Sequence, residues 1–199
     1  MQRTGRRRIL ADSTRKPNSA QVEAAAIQML QQRGVSLEDI AELVYFLQKK
    51  YLSGLTNEAC LESVRRVLSK REVQNAVLTG IALDRLAEQG ALPWPLQPMV
   101  ASDEPLYGVD EVMALAIVNV YGTIGLTNYG YVDKCKPGIL GTLNEPREGV
   151  CNTFLDDIVG AIAAAAASRL AHRSRSREEA AARLSRSATS TGTPEDGLS

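Results

Sequence analysis

The chain has 199 residues, with Lys+Arg and Asp+Glu balanced at 23 each and aromatics at only 5 %. That length suits one domain with a sizeable core plus tails. No basic surplus and few stacking rings argue against nucleic acid as a partner.

Three cysteines, Cys60, Cys135 and Cys151, are odd in number and lack metal-type spacing. Reduced thiols behaving as small buried hydrophobes in a cytoplasmic protein are expected. Residues 1–18 carry Arg3, Arg6, Arg7, Arg8 and Pro17 with no apolar run behind them, and read as a basic disordered arm rather than a secretory signal. From there the periodicity is helical almost throughout, without sustained alternation, so the expected fold is all-α: a single-domain multi-helix bundle with a buried central helix.

Ser19 is placed to cap a first helix carrying Val22, Ala26, Met29 and Leu30, stopping at Gly34. Ser36 with Asp39 has capping-box spacing, and Ile40, Val44, Leu47 and Tyr51 follow as an apolar stripe. Thr56 or Asn57 opens the next helix, with Leu61, Val64 and Leu68 at helical spacing. Val73, Val77, Ile81 and Leu86 continue the pattern until Gly90, and a bend near Lys70-Arg71 is left open. "ALPWPLQPMVASDEP" (91–105), with four prolines, is a connector. Beyond it "DEVMALAIVNVYGTIGL" is apolar nearly all round and is expected to be the central helix. No transmembrane span is expected, because Val112 to Leu126 is short and carries Asn119, Tyr121, Gly122 and Thr123. From His172 onward the chain turns Ser/Arg-rich and then Gly/Pro-rich, which sets the helical domain at 19–172 and a polar disordered tail at 173–199.

Three acidic groups interrupt the apolar C-terminal half: Asp110-Glu111, Asp133 and Asp156-Asp157. Each has an ordinary reading. Asp110 and Glu111 gain from a helix N-terminus, and Thr153 with Asp156 has capping-box spacing. Asp133 fits less well, since Pro137-Gly138 marks a helix C-terminus where the dipole disfavours an anion. Asp157 is left over once Asp156 is assigned to a cap. Gly160, Ala164 and Ser168 make a small-residue ridge behind it, along which another helix can approach closely. Carboxylates gathered from several helices repel unless protonated or bridged by a cation, and an all-oxygen set suits Mg²⁺. With Lys134 and Lys136 to bind phosphate oxygens, the set fits a phosphoryl hydrolase.

These same stretches, "DEPLYGVDEVMALAIVNVYGTIGLTNYGYVDKCKPGILG" (103–141) and "GVCNTFLDDIVGAIAAAAASRLAH" (149–172), resemble the phosphatidylglycerophosphatase A family, nearest its soluble low-temperature-requirement C branch. The family's Asp-Glu motif falls on Asp110 and Glu111, its Asp-x-x-Lys-Pro motif on Asp133, Lys136 and Pro137, and its Asp-Asp-Ile-Val motif on Asp156 to Val159; Asp103 matches a further aspartate less closely. The resemblance implies an all-helical fold and Mg²⁺-dependent removal of the terminal phosphate of phosphatidylglycerophosphate, giving phosphatidylglycerol. In that reading Asp110, Glu111, Asp133, Asp156 and Asp157 hold the metal, Asp133, Asp156 and Asp157 are catalytic, and Lys134 and Lys136 bind substrate. One carboxylate serves as general base toward water, without a choice among them.

The chain lacks the Gly-Thr-x-Gly-Ser run of the membrane-embedded members, and Gly130 stands where they carry an arginine. Two rivals therefore stay open: a non-catalytic helical regulatory protein keeping the acidic cluster, and a phosphatase of a soluble phosphomonoester. Arg173, Arg175, Arg177 and the N-terminal arginines either meet anionic lipid at the inner face of the membrane or are solvated tails. His172 is expected to ease the end of its helix dipole, with a catalytic role as the alternative. A homo-oligomer is the expected assembly, on the apolarity of the presumed central helix.

Overall fold

The computed structural model describes residues 16–190, and every regular element in it is helical. The chain order is α1 (Ser19–Gln32), α2 (Leu37–Gln48), α3 (Asn57–Leu68), α4 (Arg71–Glu88), α5 (Leu96–Ala101), α6 (Val109–Val118), a 3₁₀ turn (Asn119–Tyr121), α7 (Gly122–Cys135), α8 (Ile139–Asn144) and α9 (Leu155–Ser190).

Local signals set most of the starts. Ser36 accepts from Asp39 N while the Asp39 carboxylate accepts from Ser36 N, the reciprocal box expected. Thr56 accepts from Ala59 N. At α1 the cap lies one residue earlier than expected: Asn18, not Ser19, accepts from Gln21 N, and Gln21 returns the bond to Asn18 N. The chain does bend at Lys70, which opens α4 after α3 has ended at Leu68.

The axis of the fold is α9. Residues 153–168 are all buried, because α2, α3, α4, α6 and α7 pack around this segment. Its composition explains how five helices fit about one: Ala161 and Ala163 to Ala167 take little room, while Phe154, Leu155, Ile158 and Ile162 supply the apolar bulk. Each of those four large side chains, fully buried, contributes about 1.5–3 kcal/mol. The ridge Gly160–Ala164–Ser168 is covered within the chain. Gly160 lies against Tyr129, Val132 and Leu140, and Ser168 Oγ donates to Tyr121 O at 3.0 Å. On another side Ser63 Oγ donates to Ala166 O at 2.9 Å.

Gly80 marks where α4 crosses this axis. A Cβ there would run into Ile158 Cδ1 and stand 3.0 Å from Phe154 Cβ and 3.3 Å from Met113 Sδ. Gly80→Val overpacks the crossing and is expected to cost about 1–3 kcal/mol, read as a lower urea midpoint at unchanged m-value.

The expectation that residues 110–126 form the buried axis is corrected. That stretch is two helices broken at Gly122, whose φ of +70° L side chains rarely adopt, and its outer side is open: Val112 is 63 % exposed. By length and composition Val109–Cys135 is apolar enough to cross a membrane, with 28 % of its most apolar window buried. Helical periodicity was absent there because one side of each helix packs on α9 and the other is apolar without being covered. Three smaller expectations also change. Tyr51 and Leu86 leave their stripes for the surface, and Cys135 is exposed whereas Cys60 and Cys151 are buried; all three thiols are free. Helix α9 runs on past His172 to Ser190, through part of the tail expected to be disordered, while 1–15 and 191–199 lie outside the described residues.

Candidate active site

The acidic residues picked out by pattern come from three elements and meet at one end of the bundle. Asp110 and Glu111 stand in the first turn of α6, Asp133 in the last turn of α7, and Asp156 and Asp157 in the first turn of α9. With Lys136, Asp103, Asn144 and Thr153 they line a cavity of about 260 Å³. A neighbouring cavity of about 410 Å³ shares Asp103, Asn144, Thr153 and Asp156 and extends past Ser102 and Asn152 to Arg147.

Lys136 is central to the electrostatics. Its Nζ donates to Asp133 Oδ1 and to Asp156 Oδ2, both at 2.7 Å. Burial alone would lower its pKa, but the two carboxylates outweigh that and hold the ammonium well above its usual range. The backbone at Lys136 is left-handed, with φ +43°, a conformation usually left to glycine or asparagine after a helix end. A lysine kept there at a conformational cost is where such strain tends to mark function.

Burial pushes Asp157 up to about 7, and the adjacent Asp156 charge adds to the rise. Asp156 is also raised by burial, with Lys136 pulling the other way. Beside Asp157 lies the buried Tyr129 hydroxyl; burial first, then the Asp157 charge and its contact with the hydroxyl, lift the phenol far above its usual range. Asp110 Oδ1 is buried and unpartnered. Asp103 is raised by burial and by the Asp156 and Asp110 charges.

The start of α9 is not held as its sequence suggests. Thr153 does not cap it; its hydroxyl donates to Val100 O at 2.7 Å. The cap comes from α4: the fully buried Asp84 accepts from Phe154 N through Oδ1 and from Leu155 N through Oδ2, each at 3.1 Å. Arg33, at the end of α1, pairs with Glu88 at 2.6 Å and donates to Cys151 O and Asn152 Oδ1, while Glu88 accepts from Cys151 N. Two helices far back in the chain thus clamp the segment that presents Asp156 and Asp157.

A phosphatidylglycerophosphatase A family model matches residues 26–172, which covers most of the chain and every residue of the cavity. This chain belongs to the phosphatidylglycerophosphatase A family. The uncharacterized protein YutG of Bacillus subtilis is 64 % identical over 159 residues, covering 80 % of this chain and 96 % of that protein. Two solved structures carry the same fold. A low temperature requirement C protein from Listeria monocytogenes superposes with TM-score 0.77 at 61 % identity, covering 79 % of this chain and 99 % of the other. A protein of unknown function from Bacillus stearothermophilus does so with TM-score 0.75 at 68 % identity, covering 76 % and 94 %.

Of the site residues expected from sequence, Asp110, Glu111, Asp133, Lys136, Asp156 and Asp157 all line this cavity, and Lys134 does not. Lys134 is exposed because neighbours on a helix point about 100° apart, so with Asp133 facing the cavity its successor turns to solvent. His172 does not end its helix; it sits exposed in α9, about 24 Å along the axis from Asp156 at 1.5 Å per residue. Arg173 pairs with Glu62 at 3.3 Å and Arg175 with Glu179 at 3.6 Å, so neither is a free tail charge. The side chain of Arg177 and the N-terminal arginines lie outside the described residues.

Asp84 was missed, though a signal existed. It lies three residues after Ile81 and seven after Val77, on the apolar stripe of α4, and an acid on such a stripe needs a partner.

Proposed function

We propose that this chain is a phosphomonoester hydrolase that removes the terminal phosphate of phosphatidylglycerophosphate with the help of Mg²⁺. The observation that carries the reading is the cavity at the start of α9, where seven carboxylates, Asp103 and Glu104 among them, and one lysine from three parts of the chain come together.

The donor set fits a hard divalent cation. Its oxygens are carboxylate oxygens, Asp110 Oδ1 is buried with nothing bonded to it, and the adjacent Asp156 and Asp157 repel unless protonated or bridged. Asp110, Glu111, Asp133, Asp156 and Asp157 are the residues that would hold it. Among the described residues no three acidic, histidine or cysteine side chains already stand together as a metal group, so loading requires side-chain rotation. When bound, the ion offsets phosphate charge and acidifies water.

The chain's own residues supply the rest. Lys136 has three N–H donors and spends two on Asp133 and Asp156, leaving one for a phosphoryl oxygen. Asp157 is in this reading the carboxylate that takes a proton from the attacking water. Water adds to phosphorus, the ester P–O bond breaks, and the leaving alkoxide is protonated from solvent. The neighbouring cavity receives the organic part of the substrate. Its wall of Ser102, Asn144, Asn152, Thr153 and Arg147 suits a hydrophilic group, which favours as second reading a soluble phosphomonoester.

Phosphate release by the full chain with Mg²⁺ is the test, run on phosphatidylglycerophosphate in mixed micelles and on soluble phosphomonoesters. Release from the lipid is expected; release from soluble esters alone moves the reading to them. Metal binding without turnover of any substrate favours the non-catalytic regulatory protein. Lys136→Met should lower kcat/KM by about 10²-fold, as loss of a charge donor at a transferring group does.

A further inference from the structure

We propose that the outer faces of α6 and α7 form a seam with a second copy of this chain. From Val112 to Val132 there is not one charged residue, although about a quarter of an ordinary chain is charged. The inner sides of both helices are taken up by α9. On the outer sides Val112, Val120, Ile124, Leu126 and Tyr131 are exposed, Tyr131 by half of its surface. An apolar, charge-free pair of helices open to water is characteristic of a contact surface.

The face is also built for close approach. At Gly122 and Gly130 nothing lies within 4 Å of where a Cβ would stand, so a neighbouring helix can come near the backbone. The Thr127 hydroxyl already donates to Thr123 O at 3.1 Å, so covering it leaves no donor unpaired.

Charge decides the occupant. The margins of the face carry both signs: Asp110, Glu111 and Asp133 stand at one end with Lys134 beside them, and Lys70, whose Nζ lies 5.8 Å from the Tyr121 ring, stands at the other. An anionic bilayer is drawn to surfaces rimmed with a surplus of lysine and arginine, which margins of mixed sign do not offer. At the opposite end Arg169 and Arg173 are engaged by Glu62. A neutral face is its own complement: a two-fold axis through it sets no like charges against each other and leaves the acids at the rim.

Sedimentation velocity on the full chain tests this. A dimer is expected at micromolar concentration, becoming monomeric in Val112→Glu and in Thr127→Glu with helix content and melting cooperativity retained. Both positions are exposed in the single chain, so a charge there meets water unless a partner covers it. Should one variant not fold, the other carries the test. Thr123→Cys in a Cys135→Ser background adds an independent readout, an intermolecular disulfide under mild oxidation. A wild-type chain monomeric up to about 100 µM overturns the proposal, since a specific seam of this kind binds more tightly. So does flotation of a monomer with phosphatidylglycerol vesicles that either glutamate variant abolishes, which would give the face to the bilayer.

Discussion

Asp84→Ala is expected to destabilise the fold by about 3–5 kcal/mol, which places it among the most damaging single changes in the chain. The substitution strips the acceptor from Phe154 N and Leu155 N together, in a fully buried spot. Each buried donor left unpaired costs about 1–3 kcal/mol, and the vacated volume adds to that. Asp84→Asn should fall between, because an amide keeps one acceptor and turns a donor toward the second N–H. Urea unfolding of the three proteins at one pH gives the order. Unfolding free energies of Asp84→Ala and wild type within 1 kcal/mol would show that α9 is held by packing alone.

The same carboxyl sets a pH dependence of unusual sign. Burial pushes Asp84 up to about 7, with Arg33 and the two amides opposing, so the folded chain holds its proton more firmly than the unfolded chain does. Its contribution is therefore full below the ordinary carboxylate range and is lost as pH rises through about 7. Thermal stability of wild type should increase as pH is lowered from 8 toward 5, and Asp84→Asn should show a shallower slope. Glu88, Arg33 and Cys151 share the surroundings of Asp84, so the comparison between the two proteins, rather than either slope alone, isolates it.

Asp157→Asn should separate activity from stability. Under the proposed chemistry the asparagine cannot accept the proton of water, and kcat should fall by at least about 10²-fold. Stability should move the other way above pH 7, where the native Asp157 is charged against Asp156 in a buried setting. A neutral isostere removes that repulsion, so the inactive variant should melt higher than wild type. Phosphate release paired with a melting curve at pH 8 reads both. Retained turnover removes Asp157 from the role of base and passes it to another acid of the cavity.

Sequence pattern reached far into this molecule, and its failures share a cause. The Ser36–Asp39 box and the Thr56 cap were legible because partners three residues apart meet in any helix. The cavity acids stood out because a charge in an apolar run needs explaining, and five of them do share one wall. Thr153 misled because its spacing to Asp156 is right while Val100, distant in the chain, claims the hydroxyl. Asp84, Arg33 and Glu88 act across 63 to 119 residues of chain, and no local rule reports such a bond. The central helix was misassigned because composition cannot tell a segment surrounded by its own chain from one whose apolar side is open. Alanines, which let five helices crowd in, were the better sign of the axis.

That axis is made after the helices that surround it. Until residues 153–168 emerge, the helices that will encircle them can pair, α2 with α3 and α1 with α4, but lack the surface that they share. The apolar sides that will face the axis therefore stay exposed to holdases and proteases until the stake around which they gather is made. The aspartates that begin the stake are positioned in the same event, so maturation of the pocket and completion of the core are a single step.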